Sequence, residues 1–180
     1  MWHERFLEMA KLVGTWSKDP STQVGAVAVD RNTRRVLSMG YNGFPKGIED
    51  DGRLNDREKK YEMIIHAEVN CILNAARLGI SLEGSALYIS GLPPCATCAL
   101  PIIQAGIKEV YIPIDALETL VDGNPRWLNE WRNKTKPLFE EAGIKFYYII
   151  EDIQIISIWD LIQVLNQLNM LMILGKSLII

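Results

Sequence analysis

Any fold for this chain has to bring the imidazole of His66 to the thiols of Cys95 and Cys98. The two motifs are His66-Ala67-Glu68 and Pro94-Cys95-Ala96-Thr97-Cys98. They supply one nitrogen donor, two sulfur donors at helical i, i+3 spacing and one carboxylate that need not be a ligand. Three protein ligands with an open fourth position are what a catalytic zinc requires, whereas a structural zinc is closed by four. Cys95 and Cys98 fall on one face of a helix that Pro94 opens, and a helix N-terminus favours thiolate over thiol.

The rest of the chain alternates helix and strand. Phe6, Leu7, Ala10, Leu12 and Val13 predict a helix over residues 3–16 with a broad apolar face, ended by Ser17-Lys18-Asp19-Pro20. Val24 to Val29 reads as a buried strand, and Val36 to Tyr41 as its hairpin partner. Asn42 to Gly47 is a loop, and the charged residues 48–61 are expected to face solvent. A helix is expected from Met63 to Leu78, with Gly79 as its C-terminal cap. Then come a strand at Ala86 to Ser90, a helix from Pro94 to Ala105, a strand at Lys108 to Ile112, helical segments in 116–142 and a strand at Lys145 to Ile150. This order predicts a three-layer α/β/α fold around a central mixed sheet of about five strands.

The length, 180 residues, suits one domain, placed at 1–150. Residues 151–180 are an apolar segment expected to be helical and to pack on the domain or on a sister subunit. Asp160, Gln163, Asn166 and Gln167 interrupt it well short of the ~20 residues that span a bilayer. Its one cation, Lys176, argues against a membrane-surface helix. The net charge of −3 argues against a protein that holds a long nucleic acid. Three cysteines, with no signal-like apolar stretch at the start, predict a reducing, cytoplasmic location. Cys71 is expected to fill space as a small hydrophobe and His3 to lie on the surface.

H-x-E followed by P-C-x-x-C is the signature of zinc-dependent deaminases. Zinc bound by His66, Cys95 and Cys98 would bring the pKa of water down to ~7, and Glu68 is placed to shuttle protons. Two further blocks, Ser17-Lys18-Asp19-Pro20-Ser21-Thr22-Gln23-Val24-Gly25 and Tyr41-Asn42-Gly43-Phe44-Pro45-Lys46-Gly47, accompany it. With Ile103-Gln104-Ala105-Gly106-Ile107-Lys108-Glu109-Val110 they make the chain resemble the deoxycytidylate (dCMP) deaminases of the cytidine deaminase-like fold.

The resemblance implies hydrolysis of dCMP to dUMP and ammonia, feeding dTMP synthesis. It implies that Asn42 contacts the sugar and that Ala67 and Glu68 read the pyrimidine edge. Gly43 permits close backbone approach, Lys18 and Lys46 are candidate phosphate contacts by charge, and Trp127 or Trp131 is a candidate to stack on the base. Relatives carry a second zinc on extra Cys or His between the Asn-Gly loop and H-x-E; residues 45–65 contain neither, so one zinc is expected here. The resemblance also implies a homohexamer under dCTP and dTTP control, with Mg2+ accompanying the triphosphate. The alternatives are a dual dCMP/dCTP deaminase, a tRNA adenosine deaminase and a zinc-binding interaction module without activity.

Overall fold

The computed structural model describes residues 1–118, 125–149 and 178–179. The elements in chain order are α1 (Trp2–Gly14), β1 (Gly25–Val29), β2 (Val36–Tyr41), a 3-10 turn (Gly52–Asn55), α2 (Arg57–Met63), α3 (Ala67–Arg77), β3 (Ala86–Ile89) and α4 (Ala96–Gln104). They continue with β4 (Glu109–Pro113), α5 (Asp115–Glu118), α6 (Pro125–Glu130), a π-helical stretch (Trp131–Thr135), α7 (Lys136–Glu141), β5 (Lys145–Ile149) and β6 (Leu178–Ile179). The sheet order is β2-β1-β3-β4-β5-β6, with β2 and β3 antiparallel to β1 and the rest parallel. The five strands expected from the sequence are present. The segment 151–180 lies outside the described residues except for Leu178–Ile179, which extends the sheet by a two-residue strand beside β5.

Strands β1 and β3 are apolar throughout, and β4 is apolar after Glu109, because both of their faces are covered. On one face, Val27, Val29, Ala86, Tyr88, Tyr111 and Ile149 pack under Phe6, Leu7, Ala10 and Val13 of α1. On the other, Ala26, Ala28, Leu87, Ile89, Val110 and Ile112 meet Cys71 and Ala75 of α3, Ala99 and Ile102 of α4, and Trp131 and Phe139. These are the three layers. Cys71 is fully buried in the second cluster, as its small apolar character predicts.

The fold departs from the sequence expectations at four points. Leu12 is 59% exposed; the buried face of α1 is narrower than its apolar composition suggests. The helix expected over 63–78 starts only at Ala67, because Met63 ends α2 and an extended stretch separates the two helices. Ile64 and Ile65 are β-branched and extended, and Ile65 pairs antiparallel with Gly43 through bonds of 2.9 and 3.1 Å. That short bridge holds His66 in extended backbone, as the N-cap of α3. Residues 48–61 are not wholly solvent-facing, since Leu54 and Lys60 are buried there. His3 is no free surface group. Its Nδ1 lies 2.9 Å from the Tyr88 hydroxyl and its ring 4.6 Å from that of Tyr111. Tyr88, Tyr111 and Tyr147 stack across neighbouring strands at 4.7 and 4.9 Å, which gives the imidazole an aromatic floor.

Helix α3 lies directly on the edge strand β2. Ser38 Oγ donates to the Cys71 carbonyl, and the Asn70 and Asn74 amides donate to the carbonyls of Tyr41 and Met39. Gly40 makes the approach possible, because a Cβ there would sit 2.3 Å from the Cys71 nitrogen and 2.8 Å from the Ala67 oxygen. Both obstacles are backbone and cannot rotate away. Gly40→Ala is therefore expected to cost about 1–3 kcal/mol. A lowered urea midpoint would show it; a midpoint equal to the parent's would contradict this account of the α3–β2 contact.

Candidate metal centre and active site

Two helix N-termini converge on one point. His66 caps α3 and Cys95 caps α4, both in extended conformation, and Cys98 follows in the first turn of α4. Nδ1 of His66 stands 3.2 Å from Cys98 Sγ and 3.6 Å from Cys95 Sγ. The three donor atoms lie within 4.8 Å of one another, the one such cluster among the described residues. Ligand atoms on a tetrahedral zinc, with bonds of ~2.0–2.1 Å to nitrogen and ~2.3 Å to sulfur, stand roughly 3.3–3.8 Å apart. The spacing and the nitrogen–sulfur donor set both fit that ion.

Electrostatics at the cluster follow from burial and shared protons. Cys95 is held down to about 4, first by the hydrogen bond from Cys98, then by the His66 ring against the opposing effect of burial. Cys98, the donor in that bond and itself buried, is pushed up. Nδ1 of His66 is nearer to Cys98, yet its pKa is raised chiefly by Cys95, because Cys95 is the thiol that ionises first. Glu68, in the first turn of α3, is 5% exposed, and burial pushes its carboxyl up.

A cavity of about 420 Å³ opens beside the cluster, lined by His66, Ala67 and Glu68 on one side and Ser90, Leu92 and Trp127 on another. Helix α6 is tied to the loop that carries Cys95 by two bonds. Trp127 Nε1 donates to the Pro93 carbonyl at 3.0 Å, and the Glu130 carboxylate accepts from the Ala96 amide at 3.3 Å. Glu130 thus satisfies a free N–H of α4, a cap that no local motif announced. Of the two tryptophans, Trp127 faces the cavity and Trp131 is 2% exposed in the core.

The Ser17–Gly25 block forms the third wall as a buried polar knot. Asp19, 2% exposed, accepts from the Ser21 amide and hydroxyl, the Thr22 amide and the Lys60 ammonium. Burial pushes its carboxyl up, but these donors together hold it below the usual carboxylate range. Ser17 Oγ donates to the Asn42 carbonyl, a structural bond. Asn42 lines the cavity, but its amide is already engaged: Nδ2 donates to the Thr22 carbonyl at 2.8 Å and Oδ1 accepts from the Val24 amide at 2.8 Å. One lone pair on Oδ1 remains for a ligand.

Gly43, Lys18 and Lys46 are not among the residues lining the cavity. Gly43 is occupied by the bridge to Ile65. Lys18 is exposed and paired with Asp50 at 2.9 Å, and Lys46 is exposed on the following loop. The cation that does line the cavity is Lys60, which the sequence reading did not single out.

Residues 1–114 match the family model described as cytidine and deoxycytidylate deaminase zinc-binding region. A deaminase of Aliivibrio fischeri is 43% identical over 84% of this chain and 96% of its own length. The deoxycytidylate deaminase of Homo sapiens is 40% identical over 81% of this chain and 78% of its own. Among solved structures, the dCMP deaminase of cyanophage S-TIM5, in complex with dCMP and dUMP, is 30% identical. It superposes with a TM-score of 0.52 over 65% of this chain and 90% of that one. No helix among the described residues is long and apolar enough to cross a membrane.

Proposed function

The chain belongs to the cytidine and deoxycytidylate deaminase family, and on that premise we propose that it hydrolyses dCMP to dUMP and ammonia at the centre formed by His66, Cys95, Cys98 and Glu68. The observation that carries this reading is the convergence of the three donor atoms within 4.8 Å beside a cavity that the buried Glu68 also lines. His66 Nδ1 and the two sulfurs would hold one zinc per chain. When bound, zinc supplies the Lewis acidity that makes a water nucleophilic near neutral pH.

The chain's own groups do the rest. The Glu68 carboxylate takes the proton of the attacking water and passes it to ring nitrogen N3. It then carries the second proton to the departing amine, so that water and dCMP leave as dUMP and ammonia. Burial of Glu68 helps, since a raised pKa makes its carboxylate a stronger base toward the water and keeps the carboxyl protonated nearer neutral pH, ready to act as the acid. Ala67 and Trp127 border the space for the base, and the free lone pair of Asn42 Oδ1 is within the same cavity for a sugar hydroxyl.

The same proposal places the reaction in residues 1–150 and gives 151–180 a packing or subunit-contact role. It includes a homohexamer, control by dCTP and dTTP with Mg2+, and a cytoplasmic location, where three free cysteines stay reduced.

The test is ammonia release by the zinc-loaded protein from dCMP, CMP, dCTP, deoxycytidine and a tRNA anticodon stem. The expected result is turnover of dCMP above the others. Turnover of the tRNA alone would replace the reading with adenosine deamination, and no turnover of any substrate would leave the interaction module. Added dCTP and dTTP are expected to shift the dCMP rate curve in opposite senses; a hyperbolic curve unmoved by either removes the effector control.

A further inference from the structure

We infer that helix α6 braces the loop that carries the thiols: Glu130 and Trp127 are positioning residues that hold Cys95 and Cys98 in place and set how long the chain retains its metal. The inference rests on the zinc reading above and adds residues that lie beyond the matched region 1–114.

The loop is poorly equipped to hold itself. Residues 90–95 form neither helix nor strand. Pro93 and Pro94 have no N–H to give, so two of the donors that could tie the loop to the body are missing. Helix α4 is weak at the same end. Pro101 lies inside it and cannot donate to the Thr97 carbonyl, so the first turn lacks one of its i to i−4 bonds. Zinc ligands have to stand within about 0.2 Å of their proper distances. A loop free to shift by more would let the metal go.

Helix α6 supplies the missing ties. Trp127 and Glu130, spaced i, i+3, face the loop together. Trp127 Nε1 donates to the Pro93 carbonyl, two residues before Cys95, at 3.0 Å. Glu130 Oε1 accepts from the amide of Ala96, which stands between the two thiols in the chain, at 3.3 Å. The two bonds bracket Cys95. Both end on backbone atoms, and so fix the path of the chain rather than one side chain.

The brace is itself anchored. Lys134 Nζ holds the other Glu130 oxygen at 2.7 Å, which leaves the carboxylate little rotamer freedom to lose. Trp131, the residue after Glu130, is 2% exposed. Its ring lies 4.3 Å from that of Phe146 on β5 and 6.2 Å from that of Phe139 on α7. Helix α6 thereby passes the rigidity of the core to the loop.

The experiment follows zinc loss from the loaded full chain to an excess of a chromogenic chelator, with zinc affinity measured by competition. Glu130→Ala changes a half-buried side chain and is expected to keep the fold. It should speed zinc loss and weaken affinity about 3- to 10-fold, at or below the low end of what losing a support of a metal ligand costs. Trp127→Phe keeps an aromatic ring but loses the N–H, and should move both quantities the same way. Glu130→Gln offers a carbonyl oxygen of the same reach to the Ala96 amide, and should return both to within about 2-fold of the parent. That rescue separates positioning from packing. Zinc loss at the parent rate in both Glu130→Ala and Trp127→Phe would overturn the brace, as would a Glu130→Gln protein that loses zinc as fast as Glu130→Ala. If the parent binds no zinc, the metal-centre reading itself has failed. If it binds zinc and the variants keep it equally well, only the brace has.

Discussion

Glu68→Gln is expected to lower dCMP turnover by about 10²- to 10⁴-fold while the protein keeps its zinc and its fold. Glutamine has the shape of glutamate and fits the same buried space on α3, so packing changes little. What it loses is the ability to take up and return a proton. The centre loses nothing else, because the three donor atoms come from His66, Cys95 and Cys98. Zinc content by elemental analysis, read beside ammonia release, separates the two effects. A zinc-loaded Glu68→Gln that turned over dCMP at the parent rate would show that another group moves the protons.

Cys98→Ala should have the second large effect, of a different kind. Cys98 is 1% exposed and its sulfur faces His66 Nδ1 at 3.2 Å. Alanine leaves two donors and a small void. Structural zinc held by four protein ligands contributes about 10–16 kcal/mol in small zinc-stabilised folds, so losing one donor should remove roughly 2.5–4 kcal/mol of metal affinity. Activity is expected to fall to background, and the melting temperature of the variant should no longer respond to zinc or to a chelator, whereas the parent's should fall on chelation. A Cys98→Ala protein that binds one zinc per chain and remains active would remove Cys98 from the ligand set.

The centre was legible in the sequence because its parts are local. An i, i+3 pair behind a proline and an H-x-E triplet each fix their geometry within a single helical turn. The alternation of small and β-branched strands with amphipathic helices made the layers legible for the same reason.

What escaped the sequence depends on distant partners. Lys60 sits in a run of charges that reads as a solvated face, and only Asp19, 41 positions away in the chain, makes its burial tolerable. His3 looks like a terminal polar residue until Tyr88 and Tyr111 close over it. The break between α2 and α3 came from a two-residue bridge to Gly43, a contact that periodicity cannot register. Resemblance alone points to Asn42 as a ligand contact. The structure adds that most of its hydrogen-bonding capacity joins the loop at Thr22 to β1. Only charge marks Lys18 and Lys46 in the sequence, and charge without burial says nothing about where a side chain points.

The measurement that bears most directly on the centre is product formation by the zinc-loaded chain with dCMP as sole substrate, with dUMP and ammonia quantified together and repeated after chelation. The account predicts equal amounts of dUMP and ammonia, abolished by chelation and restored by adding zinc back. A folded, zinc-loaded protein that leaves dCMP intact, or one that forms dUMP equally well without zinc, would contradict it.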